Sequence, residues 1–461
     1  MEDQESLLGR HENKHLGANT IASAYMYKLR RRKGWLRISL IIPCLFLATV
    51  VLSPLFTTMM SRPASKPRYL EYKTVVGYFK QDDQNVDAKL FDYAAENFGL
   101  IDREYDTDKD FDPERKLTQW QRFEHHVHTL NRQTPLNVQY KLLYLSRHGE
   151  GYHNIAETTY GTPAWNCYWS LKDGNGTTTW ADSHLAPTGI AQALIAHDFW
   201  QNLLNTQKTS PPQSFYTSPL TRCLQTSTLT FTNLTLPTSP STPMPFTPTI
   251  KELLREGISA HTCDRRSTKT YIRTQAPTFL FEPSFPETDP YWRPLVSEIP
   301  DSQDQRSRAL LDDIFAHDNS TFISFSTHSG EINSLLRVLR HRSFWLPTGA
   351  MIPVLVKIES VEGESPWPKY EGPVYRPEEN VCEDVPPPLE TPAPETAPVP
   401  EVPNNEVPAP APVDDISPPP PPPAAPVLES AEIVPPVENI PTPPPPGLEE
   451  VKEDGNGAPF V

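Results

Sequence analysis

Short apolar runs alternate with stretches of helical periodicity between residues 139 and 358. The apolar runs predict strands at 139–145, 214–217, 247–250, 321–326 and 351–358. The amphipathic stretches between them predict helices at 188–206, 219–231, 304–317 and 330–339. Because strands that alternate with helices form sheets covered by helices, we expect an α/β fold, a doubly wound and mostly parallel sheet with helices on both faces. The surrounding composition predicts one globular domain over 72–375.

A stretch without charged residues runs from Ile38 to Met60. It is long enough to cross a bilayer core of about 30 Å at about 1.5 Å per residue, so it predicts one transmembrane signal-anchor helix over 38–60. A buried core helix is the alternative. The basic cluster at 28–33 predicts that residues 1–37 stay in the cytosol and that the domain is luminal or extracellular, as in a single-pass type II membrane protein. Because Arg62 and further basic residues follow the stretch, a cytosol-facing domain is kept as an alternative.

Three Asn-x-Thr sequons follow the predicted anchor, at Asn175, Asn233 and Asn319. In a luminal or extracellular domain these asparagines can accept glycans, so they support the type II orientation.

Residues 386–461 differ in composition from the rest of the chain. They hold 26 of the 54 prolines and 13 acidic residues, with Lys452 as the single basic residue. Proline runs favour extended polyproline II and cannot form a packed core, so we expect a disordered, acidic tail. The alternative is a spacer or a ligand for proline-binding modules.

Charge and cysteine content narrow the class of protein. The formal net charge is −16, which argues against nucleic acid as a partner because such proteins need a basic surface. None of the five cysteines has CxxC spacing, so we expect no zinc site. One or two disulfides are open to an extracytosolic domain, with a connectivity that sequence alone does not give.

Basic side chains follow three of the predicted strands. Arg147 and His148 come after the first strand, Arg222 after the second main strand and His328 after the strand at 321–326. Because ligands bind beyond the carboxyl ends of parallel strands, we expect these residues to meet in one site. Two guanidinium groups and two imidazoles suit a tetrahedral dianion, and one imidazole can attack phosphorus. The alternative for each residue alone is a surface ion pair.

At these positions the sequence resembles the histidine phosphatase superfamily, also called phosphoglycerate mutase-like. The matching motifs are Arg147-His148-Gly149, Ser218-Pro219-Leu220-Thr221-Arg222, His328-Ser329-Gly330 and the segment Leu185 to Ala193. The pair His153-Asn154 and the stretch 261–267 are similar to a fungal mutase-like subgroup. The resemblance spans residues 75–360 and leaves out the predicted anchor and tail.

The resemblance implies a role for each matching residue. His148 would be the nucleophile and would form a phosphohistidine. Arg147, Arg222 and His328 would hold the phosphoryl oxygens, and Asn154 would help to line the pocket. Neighbouring arginines keep an attacking imidazole neutral, as the reaction requires. Since the arginines supply the positive charge, we expect no metal and no cofactor.

The resemblance also implies a proton donor for the leaving oxygen. In the mutase-like branch this donor is a glutamate after the third strand, a place that Glu256 occupies here. The acid phosphatase branch uses an acidic residue after the second histidine, for which Glu331 is the candidate, although Glu331 also suits the dipole of a helix N-terminus. We favour Glu256. The basic stretch 255–273 either favours an anionic substrate or is a solvated surface, which is the usual outcome for a charge run.

Together these features predict a metal-independent phosphatase that hydrolyses phosphomonoesters of small molecules through a phosphohistidine. One alternative is a phosphoglycerate-type mutase, which returns the phosphoryl group to the bound substrate. Another is a non-catalytic protein that binds phosphorylated ligands.

Overall fold

The computed structural model describes residues 66–379 and 381–384. Its strands are β1 Arg68–Thr74, β2 Val138–Arg147, β3 Ser214–Thr217, β4 Thr235–Leu236, β5 Ser239–Pro243, β6 Thr249–Ile250, β7 Leu280–Phe281, β8 Val296–Glu298, β9 Phe322–Thr327, β10 Met351–Glu362 and β11 Tyr375–Pro377. Its α-helices are α1 Asp108–Phe111, α2 Gln119–Gln133, α3 Tyr152–Tyr160, α4 Thr162–Cys167, α5 Pro187–Asn202, α6 Thr221–Phe231, α7 Lys269–Gln275, α8 Pro300–His317 and α9 Ser329–Val338.

A seven-stranded sheet has the order β1-β10-β2-β9-β3-β6-β7. Strands β2, β9, β3, β6 and β7 are parallel to their neighbours in this series, whereas β10 pairs antiparallel with both β1 and β2. The predicted α/β fold with a mostly parallel sheet and helices is therefore confirmed. The helices predicted at 188–206 and 304–317 correspond to α5, which continues as a π-helical turn to Gln207, and to α8.

Helices cover both faces of the sheet, as predicted. Tyr144 of β2 points to one face, where its ring centroid lies 5.0 Å from that of Trp200 in α5. Lys141 points to the opposite face, because side chains alternate along a strand. There its Nζ lies 5.8 Å from the ring centroid of Phe315 in α8. Four consecutive positions of β2, Leu142–Leu145, are fully buried, as expected for a strand with a helix layer on each side.

The first strand was not predicted. β1 lies at the edge of the sheet and has only two buried residues, Tyr72 and Thr74, so its sequence lacks a strong apolar pattern. Within the described residues, secondary structure extends from Arg68 to Pro377, slightly beyond the domain predicted over 72–375.

One disulfide joins Cys167 at the end of α4 to Cys382, across a sequence separation of 215. Cys223 and Cys263 are buried free thiols.

No helix within 66–384 is both long enough and apolar enough to span a bilayer. The predicted cytosolic segment 1–37, the predicted anchor 38–60 and the predicted tail 386–461 lie outside the described residues and stay predictions.

Candidate active site

The carboxyl ends of β2, β9 and β3 meet at one edge of the sheet. Arg147 pairs in register with Thr327, and the backbone N–H of His148 donates to the Thr327 carbonyl at 2.9 Å. This register places the two strand-end histidines side by side. The ring centroids of His148 and His328 are 5.1 Å apart, so the predicted convergence of these residues occurs.

The hydrogen bonds of His148 define its protonation. Nδ1 lies 2.7 Å from the carbonyl oxygen of Gly149, while Nε2 lies 3.3 Å from Nε of Arg222, which can only donate. We therefore assign the proton to Nδ1 and leave Nε2 unprotonated, with its lone pair accepting from Arg222. Burial, followed by the charges of Arg222 and Arg147, lowers the pKa of His148 well below its ordinary value, so the ring is neutral at physiological pH.

Two glycines bring the loop after β2 against the start of α5. A Cβ on Gly149 would lie 2.4 Å from the carbonyl oxygen of Gly189, and a Cβ on Gly189 would lie 2.1 Å from that of Glu150. Only glycine at both positions permits this approach. The backbone N–H of Gly149 also donates to Thr226 Oγ1 at 3.0 Å, so the loop that carries the catalytic candidate His148 is held by α5 and α6 together.

Arg222 lies in the first turn of α6 and is held on three sides. Besides its contact with His148, Nη1 donates to the Cys263 carbonyl at 2.6 Å and Nη2 lies 3.3 Å from Oδ1 of Asp264. Only 1% of Arg222 is exposed, so these contacts hold a desolvated cation beside the candidate nucleophile.

The helix that carries Arg222 is capped from a distant loop. Oδ1 of Asp182 accepts the backbone N–H of Thr221 at 2.8 Å, and Oδ2 accepts the Thr221 hydroxyl and the backbone N–H of Ser267. Asp182 is buried and adopts a left-handed φ of 42°, a conformation that costs energy for a non-glycine residue. This carboxylate therefore links the start of α6 to the segment that pairs with Arg222.

His328 is fully buried between two small polar side chains. Its Nε2 lies 2.8 Å from Oγ of Ser218 and 3.3 Å from Sγ of Cys223. Burial, followed by the charges of Arg222 and the neighbouring histidines, lowers the pKa of His328 well below its ordinary value. His328 is thus a neutral imidazole next to His148.

The remaining predicted phosphate ligands are Arg147, at the end of β2, and Asn154, in the first turn of α3. Nη1 of Arg147 donates to the Leu346 carbonyl at 2.8 Å, and the guanidinium lies 6.0 Å from the ring centroid of Trp345. Oδ1 of Asn154 accepts the backbone N–H of Gly151 at 3.0 Å. Asn154 therefore stabilises the first turn of α3, beside the candidate site.

The carboxylate of Glu256 sits on the N-terminus of α9. Oε1 accepts the backbone N–H groups of Gly257 and Glu331 at 2.9 and 3.0 Å, and Oε2 accepts that of Gly330 at 3.2 Å. Burial, followed by the nearby charge of Asp264, raises the pKa of Glu256, and the backbone hydrogen bonds oppose this rise. The site thus combines two neutral imidazoles with a buried carboxyl group whose pKa is raised.

Sequence comparisons agree with this geometry. The family model of the histidine phosphatase superfamily (branch 1) matches residues 143–349. A "Probable phosphoglycerate mutase" of Arthroderma benhamiae is 52% identical over 291 residues, 63% of this chain and 85% of the relative. "Phosphomutase-like protein 3" of Candida albicans is 33% identical over 66% of this chain and 84% of its own length. "Probable phosphoglycerate mutase PMU1" of Saccharomyces cerevisiae is 33% identical over 58% and 92%, respectively.

The chain belongs to the histidine phosphatase superfamily.

The alternative acid, Glu331, points into the protein interior. Its carboxylate accepts the Ser307 hydroxyl at 2.7 Å and pairs with Arg306 at 3.3 Å, and none of its side chain is exposed. Burial raises the pKa of Glu331 to about 8, against the opposing charge of Arg306. Glu331 shares only its backbone N–H with the site, through the hydrogen bond to Glu256, and its carboxylate is occupied by Ser307 and Arg306.

The arginines at 255, 265 and 266 of the basic stretch 255–273 make structural contacts. Arg255 and Arg266 are buried, and both pair with Glu252, at 3.0 and 2.7 Å. Arg265 pairs with Asp173 at 2.8 Å. For Arg255 and Arg266 the expectation of a solvated surface is wrong, because both guanidinium groups fold inwards onto carboxylates. Neither of them is available to an anionic substrate.

His261, Cys263 and Asp264 place their ligand atoms within 4.8 Å of one another. Asp264 already pairs with Arg222 and accepts the Ser259 hydroxyl at 2.5 Å. A metal ion there would compete with a buried guanidinium for the same carboxylate, so the donor set fits the support of Arg222 better than a metal site.

Sequence reasoning missed the residues that hold the candidate site together, namely Asp182, Ser218, Cys223 and Asp264. Ser218 and Asp264 lie inside motifs that carried the family resemblance, which was the available signal. Asp182 contacts α6 from 39 positions away, and nothing near it in the sequence marks that contact.

Proposed function

We propose that this protein is a phosphatase that hydrolyses phosphomonoesters of small molecules through a phosphohistidine at His148. The observation that carries the proposal is the orientation of its ring, in which Nδ1 faces the Gly149 carbonyl and Nε2 faces Arg222. A neutral imidazole with an unprotonated nitrogen beside a guanidinium is arranged to attack a phosphoryl group that the guanidinium binds.

In the first step, Nε2 of His148 forms a bond to phosphorus while the ester P–O bond breaks. The carboxyl group of Glu256 gives its proton to the leaving oxygen, so the alcohol departs neutral. Arg147 and Arg222 bind the phosphoryl oxygens, and His328 donates to them, which offsets the charge on those oxygens in the transition state.

In the second step, water attacks the phosphorus and the P–N bond breaks. The Glu256 carboxylate takes the proton of the water, and inorganic phosphate leaves. His148 and Glu256 return to their starting protonation states, so each turnover consumes one water molecule and needs no metal.

A phosphoglycerate-type mutase is the second candidate, because two relatives carry the name "Probable phosphoglycerate mutase". In a mutase, the bound hydroxy acid and not water takes the phosphoryl group from His148. The two reactions share the first step and differ only in the acceptor.

The full chain should therefore be assayed with phosphoglycerate and with a panel of other phosphomonoesters, following both phosphate release and isomerisation. Net phosphate release that is lost in His148→Ala, and kept in the exposed control His317→Ala, is the expected result. Isomerisation without phosphate release would replace the phosphatase with the mutase. Hydrolysis that persists in His148→Ala would contradict both and point to another nucleophile. Phosphate binding by the wild-type chain without turnover of any ester would favour a non-catalytic phospholigand-binding protein.

We further propose that the domain is luminal or extracellular and is held by the predicted anchor at 38–60. Two observations support this location. The Cys167–Cys382 disulfide is of a kind that persists in oxidising compartments, and Asn175, Asn233 and Asn319 are all exposed. A gel-mobility shift after glycosidase treatment of the protein from its host is the expected result. An unchanged mobility, together with recovery of the protein in the cytosolic fraction, would contradict this location.

A further inference from the structure

His153 lies beside the proposed nucleophile, although its role is not covered by the mechanism above. The ring centroids of His153 and His148 are 5.3 Å apart, and their planes are inclined by 49°. His153 is the second residue of α3, and its backbone N–H donates to Ser183 Oγ at 3.1 Å. The fold thus fixes a third imidazole in the catalytic cluster.

One edge of the His153 ring is closed off by the backbone. Nδ1 is buried and has no hydrogen-bond partner among the described residues. A Cβ on Gly151 would lie 2.6 Å from Nδ1 and 2.8 Å from Cε1, so the glycine backbone covers this edge. The residue as a whole is nevertheless partly exposed, and of its two ring nitrogens only Nδ1 is both buried and unpartnered, so the open side of the ring is that of Nε2.

The closed edge decides which nitrogen carries the proton. Burial, followed by the charges of Arg222 and the other members of the cluster, lowers the pKa of His153 well below its ordinary value, so the ring is neutral and holds one proton. A proton on Nδ1 would leave a buried donor without an acceptor, which is unfavourable. The proton therefore belongs on Nε2, on the open side of the ring.

We propose that His153 is a further catalytic residue, whose Nε2–H donates a hydrogen bond to an oxygen of the phosphoryl group that His148 attacks. This inference rests on the proposed function, because it needs that phosphoryl group at His148. A neutral donor suits the position, since the cluster already contains the cations Arg147 and Arg222. Oxygens of a phosphoryl group would give His153 the acceptor that its neighbours do not supply.

Two amide substitutions separate the two ring nitrogens. In His153→Gln the side-chain amide can reach the position of Nε2, whereas in His153→Asn it reaches only the position of Nδ1. His153→Phe keeps the size of the ring and removes both nitrogens. The full chain with each substitution should be titrated with orthovanadate, an analogue of pentacoordinate phosphorus, and with inorganic phosphate by calorimetry.

We expect His153→Phe and His153→Asn to weaken vanadate inhibition and to lower kcat/KM by about 10- to 100-fold, the loss of one hydrogen bond to a charged group, while His153→Gln retains most of both. Equal vanadate affinity in all variants, or rescue by Asn and not by Gln, would overturn the inference. If His153→Phe does not fold, the comparison of Gln with Asn decides. Phosphate binding measured by calorimetry does not depend on turnover. It therefore tests the role of His153 separately from the proposed reaction, which the activity of His148→Ala tests.

Discussion

The backbone N–H of Gly330 donates to Oε2 of Glu256 at 3.2 Å, so the proposed proton donor rests directly on the first turn of α9. A Cβ on Gly330 would lie 2.3 Å from Oε1 of Glu256, which is closer than atoms can approach. Gly330 therefore sets the place of the carboxyl group.

Replacement of Gly330 by alanine should push Glu256 off the helix terminus. We expect Gly330→Ala to lower kcat by about 10²-fold, which is the lower end of the range for losing a general acid. We expect little change in Tm. The control is Gly257→Ala, whose Cβ would meet only the flexible end of Gln303 at 3.0 Å. Equal activity of the two variants in steady-state assays would contradict this position for the proton donor.

The expected pH dependence of the reaction follows from the shifted pKa values of His148 and Glu256. His148 must be neutral, and its lowered pKa means that activity should persist on the acid side of the ordinary histidine value of about 6.5. Glu256 must hold its proton, so activity should fall as pH rises through its raised pKa. We expect an acidic optimum in the pH profile of kcat/KM, and we expect Glu256→Gln to abolish the alkaline decline.

The leaving group provides the control for that experiment. An alkyl phosphate needs a proton on its departing oxygen, whereas a nitrophenyl phosphate does not. Glu256→Gln should therefore reduce kcat/KM, which reports the first step alone, by about 10²- to 10⁴-fold for the alkyl ester and affect that of the aryl ester much less. An equal loss for both esters would mean that Glu256 does not act as the general acid.

Asp182 should stabilise both the fold and the site. In Asp182→Ala the start of α6 loses its cap and the left-handed φ becomes harder to adopt, so we expect a loss of about 2 kcal/mol in the free energy of unfolding, measured in urea. Asp182→Asn tolerates that φ and should lose less. Asp173→Ala, which removes an exposed ion pair with Arg265, is the control and should lose less than about 1 kcal/mol.

The KM of the Asp182 variant distinguishes a residue that positions Arg222 from one that only stabilises the fold. If Asp182 acts through Arg222, Asp182→Ala should also raise KM while the enzyme is fully folded. An unchanged KM would limit Asp182 to a stabilising role.

The disulfide should contribute to stability in the same assay. Reduction, or Cys382→Ser, should lower the free energy of unfolding by about 2–4 kcal/mol, because the link closes a long loop in the unfolded chain. The Cys382→Ser variant itself should not respond further to reductant. A wild-type protein whose unfolding curve is the same with and without reductant would contradict this contribution.

The candidate site residues at the carboxyl ends of the strands were predictable because each follows a short apolar run that is buried in the sheet. Strand β3 occurs at its predicted bounds, and β9 and α6 begin within two residues of theirs. His328 directly follows β9, and Arg222 lies in the first turn of α6, the helix after β3, so local patterning was enough to bring them to one edge. Edge strand β1 escaped prediction because half-exposed positions carry little apolar periodicity.

The sequence by itself determined the α/β class, the family and the side chains that converge at the sheet edge, since burial patterns and strand ends are local properties. The tertiary structure alone decided which nitrogen of His148 contacts Arg222, that Glu256 lies on the N-terminus of α9 while the carboxylate of Glu331 is buried against Ser307, and that Arg255 and Arg266 turn inwards. It also decided the pairing of Cys167 with Cys382. Each of these features depends on a partner that is distant in the sequence or on the burial of a charge. Local sequence patterns predict neither the distant partner nor the burial.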